Sequence, residues 1–180
     1  MPIAAALAPL AEPALPGAHT AAHGSGWGAD WRAVTGERTA LVLAVHPGDE
    51  GALFGSFIAR ACAAGRPPFV AVLTDGSTQP GAAGEVAHGI AMRRERETRA
   101  VAAALGLDDD RLLFVGLHDG TVPGEGAMHD ALVAAMDLVM WRNDCHVLVA
   151  AAGGDADTQA AAAVARAVAR RTGLGLVLRG

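Results

Sequence analysis

The 180-residue chain contains no lysine and no tyrosine, only two cysteines, and aromatic residues at 4%. The missing lysine excludes a Schiff-base nucleophile, a lysine general base and a Gly-Lys-Ser/Thr phosphate loop. All 14 basic residues are therefore arginines, set against 19 acids for a net charge of −5. With a pI near 5.7, that balance argues against a nucleic-acid partner and against a polybasic membrane patch. Cys62 and Cys145 lie far apart in apolar segments. They read as buried free thiols, making neither a disulfide framework nor a cysteine metal site. Long hydrophobic runs are also missing. Stretches such as residues 146–152 are strand-sized, well short of the roughly 20 residues that span a membrane. Met1–Leu15 has no basic region and is broken by Pro2, Pro9 and Pro13. It is expected to be a flexible arm and not a signal peptide, which makes the cytoplasm the expected location.

What the chain has in quantity is alanine, 42 residues of it, within a hydrophobic fraction of 52%. A fold of this length buries roughly 70% of its unfolded surface, enough for one core without covalent or metal staples. Residues 1–38 hold four of the nine prolines together with Trp27 and Trp31. This stretch reads as an irregular N-terminal arm whose tryptophans dock on a domain running from 39 to 180.

From Thr39 the pattern turns regular. Thr39–Val45 is a continuous apolar run, the mark of a strand covered on both faces. A helix is expected over residues 50–64, a second strand at Phe69–Leu73, and then a loop to about residue 84 that is long enough for a lid. Helices over 86–105, 126–142 and 158–172 alternate with strands at 112–117, 146–150 and 174–178. The second of these helices is expected to bury Met128, Leu132, Met136, Val139 and Met140. Gly106 and Gly173 sit where helices end. Five strands alternating with four helices specify a Rossmann-like, doubly wound α/β sheet, mainly parallel, with helices on both faces.

In such a sheet, ligands bind beyond the carboxyl ends of the strands. The segments expected there are His46-Pro47-Gly48-Asp49-Glu50, Thr74-Asp75-Gly76, His118-Asp119-Gly120 and Gly153-Gly154-Asp155-Ala156-Asp157-Thr158. His19, His23, His88 and His129 fall elsewhere and read as surface residues. On spacing alone, His46 and Asp49 either aim at one cation or divide into a strand-end residue and a helix cap.

The first of these segments resembles the His-Pro-Asp-Asp-Glu signature of the LmbE-like, or PIG-L, family of zinc-dependent N-deacetylases. Further stretches resemble family motifs in the family's order: Phe69–Gly76, then Arg94 and Glu97 with Ala100–Leu107, then Phe114–Gly120, then Asp157–Ala160. The resemblance runs from about Thr39 to Arg171. It implies that His46 and Asp49 are zinc ligands, that Asp119 lies at the substrate end of the pocket with Arg94 on a nearby helix, and that Asp157 supports histidine neighbours. It also implies a small amide or amino-sugar ligand, and it leaves a homo-oligomer open.

Three positions depart from the family pattern. Gly48 stands where the family has its general base, Thr158 where it has the third zinc ligand, and Asp155 where it has the oxyanion-stabilising histidine. Losing a base typically costs about 10²–10⁴-fold and losing an oxyanion donor about 10²–10³-fold. A two-ligand site would hold Zn²⁺ weakly unless Asp155 or Asp157 completed it, and both are equally suited to capping the helix that follows. Glu50 or His118 are the residues at hand to replace the base, with His118 also placed to meet substrate. Two functions follow as expectations. One is a divergent metal-dependent de-N-acetylase. The other is a non-catalytic descendant that binds a sugar-like ligand or a protein. A nucleotide-binding domain is disfavoured, because Gly24-Ser25-Gly26-Trp27-Gly28 precedes the first strand instead of following it.

Overall fold

The computed structural model describes residues 31–80 and 85–179. The lead-in before residue 31, the expected tryptophan docking and the last part of the expected lid, residues 81–84, therefore lie outside the described residues. Within them the chain order is α1 (Trp31–Thr35), β1 (Ala40–Ala44), α2 (Asp49–Ala52), α3 (Gly55–Ala63), β2 (Phe69–Thr74) and α4 (Ala87–Ala104). It continues with β3 (Leu112–Leu117), α5 (Gly126–Arg142), β4 (Val147–Ala151), α6 (Ala156–Thr172) and β5 (Gly175–Arg179). A single 3₁₀ turn, Asp109–Arg111, leads into β3. Part of the stretch expected to be irregular is thus helical, in α1.

The strands form one sheet in the order β3-β2-β1-β4-β5, with every pairing parallel. Such a sheet needs both faces covered, which is why β1 and β4 are buried at every residue. Side chains alternate between the faces. Leu41, Leu43 and Val45 join Leu132, Val133 and Met136 of α5 and Val164, Ala165 and Val168 of α6 in one core. Ala40, Val42 and Ala44 join Phe57, Ile58 and Ala61 of α3 and Ala102 of α4 in the other. Alanine on α6 lets that helix lie close to the strands. The two cysteines are free, Cys145 buried and Cys62 half-buried. Burial raises both thiols, Cys145 to about 12, so neither is an activated nucleophile. Among the described residues no helix is long and apolar enough to cross a membrane.

Two expectations change. The helix expected over 50–64 is two helices, interrupted at Leu53 and Phe54. Phe54 leaves helical geometry with φ −115 and ψ −1, and it buries its ring completely. The Leu53 carbonyl instead accepts from the Arg179 guanidinium on β5. Gly51 and Gly55 flank the break and lower the cost of interrupting the helix there. Met128, expected inside, is 65% exposed, because it belongs to the first turn of α5, ahead of the face that meets the sheet.

The contrast between two methionines on α5 tests this packing. Met136→Ala should cost about 2–5 kcal/mol in urea unfolding, whereas Met128→Ala should stay within about 0.5 kcal/mol. Equal losses at the two positions would contradict the helix phase described.

Candidate functional site

The connections after β1 and β2 build the sheet toward one edge, and β4 then returns to the other side of β1. The switch point therefore lies between β1 and β4, where a doubly wound sheet opens a crevice at its carboxyl end. His46 follows β1 at this crevice, and Asp155 and Asp157 follow β4.

The turn carrying His46 is fastened from within. The Asp49 amide donates to the His46 carbonyl at 3.1 Å, and the Asp49 carboxylate accepts the His46 amide at 2.9 Å. Gly48 sits at φ +107, a left-handed conformation that favours glycine, and its amide donates to Glu50 Oε2 at 2.8 Å. Glu50, expected as a replacement base, is thereby turned into the fold with no exposed surface. Its Oε1 has no hydrogen-bond partner, and burial pushes its carboxyl above the usual range. Glu50 holds the turn and does not face the cleft.

The His46 ring is set among carboxylates. Asp49 Oδ2 lies 3.6 Å from Nδ1, while Asp155 Oδ2 and Asp157 Oδ2 lie 3.7 and 3.6 Å from Nε2. Asp49 lifts the imidazole to about 9, against the opposing effect of burial, and Asp155 and Asp119 add to the rise. His46 is accordingly a cation at neutral pH.

Each acid nearby also holds backbone. Asp157 is buried and accepts from the Gly120 amide at 2.6 Å and the Val122 amide at 3.0 Å, tying α6 to the loop after β3. Asp119 accepts from the Gly76 and Thr78 amides at 3.1 and 3.0 Å and from the Thr78 hydroxyl at 2.8 Å. Against the opposing cost of burial, hydrogen bonds from Thr74, Thr78 and Gly76 hold the Asp119 carboxyl below the usual range. Asp155 caps α6 through the Thr158 amide and hydroxyl, both at 2.8 Å, and these bonds hold its carboxyl low. The two acids that were equally suited to capping thus divide. Asp155 caps the helix, and Asp157 binds a neighbouring loop.

Together His46, Thr78, Gln79, Asp119, Gly120, Asp155, Ala156 and Asp157 line a cleft of about 350 Å³. Four of the residues singled out from sequence do not line it: Asp49, Glu50, Arg94 and His118. Arg94 pairs with Glu97 at 3.0 Å, and its stem packs behind Gly76. His118 is exposed and pairs through Nδ1 with Asp75 at 2.8 Å. Thr78 and Gln79 line the cleft without having been singled out. They follow the Thr-Asp-Gly turn, and only the Asp119 contact to Thr78 shows why that loop bends inward.

The residues present do not fit the three-ligand zinc site that the resemblance implies. Nδ1 and Nε2 point out of opposite edges of the imidazole, so Asp49 on one side and the Asp155/Asp157 pair on the other cannot share one ion with it. Thr158, at the third-ligand position, donates its hydroxyl to Asp155. Among the described residues no group of three or more His, Cys, Asp or Glu is arranged to hold a metal ion.

Comparison with known proteins adds a family and a fold. The family model PIG-L, GlcNAc-PI de-N-acetylase, matches residues 41–170. No curated protein matches the chain. Among solved structures, N,N'-diacetylchitobiose deacetylase from Pyrococcus horikoshii superimposes with a TM-score of 0.66 at 16% identity, covering 78% of this chain and 53% of that one. The A40926 pseudoaglycone deacetylase Dbv21 gives 0.60 at 19% identity, covering 78% and 62%. The 4-carboxy-2-hydroxymuconate hydratase GalB from Pseudomonas putida KT2440 gives 0.60 at 18% identity, covering 73% and 55%. The chain therefore spans between half and two thirds of the length of these structures.

The charge on His46 makes a pH prediction. Its folded value lies above the ordinary 6.5, so its contribution to stability is complete below pH 6.5 and is lost as pH rises through about 9. In EDTA, unfolding stability should fall between pH 6.5 and 9, and His46→Gln should flatten that slope. Equal slopes in the two proteins would refute the carboxylate cage. Glu50 gives a second test. Glu50→Ala strips the Gly48 amide of its acceptor and leaves a void, costing about 2–4 kcal/mol. Glu50→Gln keeps an acceptor and should cost about 1 kcal/mol or less in the same measurement.

Proposed function

Because the chain belongs to the PIG-L, GlcNAc-PI de-N-acetylase, family, we propose that its cleft serves as a binding site for a small amine-bearing, hydroxyl-rich ligand of the amino-sugar type, held without amide hydrolysis. The observation that carries this reading is the set of carboxylates around His46, with Asp49, Asp155 and Asp157 all within 3.7 Å of its ring.

An amide hydrolase must stabilise negative charge on the oxygen of a tetrahedral intermediate. At the family's oxyanion position this chain has Asp155, a carboxylate held low by its helix-capping bonds. Like charge would meet developing charge there. Gly48 has no side chain to act as a base, and Glu50 is sealed in the fold. Each loss alone is worth orders of magnitude in rate. They coincide in one site.

The same charges suit a cation. An ammonium group carries three donors and no acceptor. Asp119, Asp155 and Asp157 line the cleft beside Thr78 and Gln79, which can meet hydroxyl groups. Acetylation of the amine would remove both the charge and two of the donors. The fold alone does not decide between reactions, since solved structures that share it include two deacetylases and a hydratase. A second reading, metal-dependent de-N-acetylation, draws its support from His46 and Asp49 standing side by side.

One set of measurements separates the two. Calorimetric titration should show glucosamine binding at least about tenfold tighter than N-acetylglucosamine, the worth of a single charge-assisted hydrogen bond. Elemental analysis should show zinc well below one per chain, and no acetate should be released from N-acetyl sugars. Stoichiometric zinc, with turnover abolished by His46→Ala, would replace this reading with the hydrolytic one.

A further inference from the structure

The outer face of α5 is apolar along its length and has no partner among the described elements. Ala127, Ala131, Ala134, Leu138 and Trp141 recur every three or four residues, and all are exposed. Residues at that spacing share one side of a helix. Leu138 is 59% and Trp141 79% exposed. Burying such surface is favourable by roughly 25 cal/mol per Å², so a continuous strip of it marks an interaction surface more than chance exposure does. Two acids of α5 border the strip on one side: Asp130, exposed beside its alanine half, and Asp137, which turns aside to Arg171 of α6 at 2.8 Å.

We propose that this face pairs with the same face of a second copy of the chain, α5 against α5, antiparallel about a two-fold axis near Ala134. The argument is the gradient of side-chain size along the strip. Its first half is alanine and its second half is leucine and tryptophan. A parallel partner would set bulk against bulk. An antiparallel one, with the two Ala134 residues facing, sets Trp141 over the partner's Ala127 and Leu138 over the partner's Asp130–Ala131 step, where the short Asp130 side chain lies at the solvent edge of the strip. Knobs then meet gaps, and the helices approach closely at the alanines. Charge agrees with this register. Arg142 at one end of α5 is brought to the partner's Glu125 at the other, and both are exposed. A two-fold interface uses one self-complementary patch twice, and this strip is complementary to itself only when reversed.

The chain's own first 30 residues are a poorer occupant. They enter the fold at α1, which packs with Val34 into the core on the opposite face of the sheet from α5. A 17-residue helix is only about 25 Å long. A pair of such helices lies at the small end of specific interfaces, and the dimer is accordingly of micromolar or weaker affinity.

Sedimentation equilibrium of the full chain tests the pairing. The mass should rise with concentration from 18.1 kDa toward twice that value. Leu138→Asp should abolish the rise while leaving the circular dichroism spectrum unchanged, since the residue is exposed. Independently, Ala134→Cys should form an intermolecular disulfide on mild oxidation, because that residue meets itself at the axis. Arg166→Cys, exposed on α6, should not. A chain that stays monomeric at every concentration would overturn the proposal, including the case in which its own N-terminal residues cover the strip. So would a dimer indifferent to Leu138→Asp, or cross-linking of Arg166→Cys that equals that of Ala134→Cys. None of these outcomes depends on what the cleft binds.

Discussion

The site depends on one buried carboxylate. Asp157 accepts the amides of Gly120 and Val122 while facing the ring of His46. In the sheet order, β3 is an outer strand, with β2 and β1 between it and β4. The loop after β3 must therefore lie across the ends of two strands to meet α6, and the Asp157 bonds hold it there. That loop in turn carries Asp119, which accepts from Gly76 and Thr78 and so positions the loop after β2. Three strand ends are linked in series, each through a carboxylate taking backbone N–H groups. Buried amides need acceptors, and buried carboxylates need donors. Here each meets the requirement of the other.

This arrangement also explains the charge of the cleft. Acids used to secure loops retain free lone pairs, since a carboxylate offers about four acceptor positions and each uses only two or three. The remaining capacity faces His46 and the solvent in the cleft. A structural solution thus leaves the cleft lined by carboxylates. His46 is held as a cation by its neighbours.

The strands were legible because a parallel sheet buried on both faces demands continuous apolar runs, and β1 through β4 have them within a residue or so of the expected bounds. Helix ends were legible where glycine takes a left-handed conformation, as Gly106 and Gly173 do. The crevice itself followed from topology, because His46, Asp119, Asp155 and Asp157 all come after strands. What sequence could not give was direction. Glu50 points inward because Gly48 offers it an amide, and a neighbouring residue number carries no such information. The Leu53 carbonyl at the helix break accepts from Arg179, more than a hundred residues away. Met128 shares the helical spacing of the buried methionines but precedes the part of α5 that reaches the sheet. In each case the three-dimensional setting decided what the pattern of residue types left undetermined.

Gly48 shows why the departures from the family pattern are coupled. A side chain built there would meet open space, so crowding does not forbid one. The backbone does, because φ +107 is strained for any residue with a Cβ. Restoring an acid at this position would require the turn to change its conformation. That change would disturb the Gly48 amide, whose bond to Glu50 keeps the buried carboxyl in place. An acid cannot be placed at position 48 without moving the turn that positions His46 and Asp49. The turn has a geometry that holds His46 among carboxylates, and Gly48 is part of that geometry.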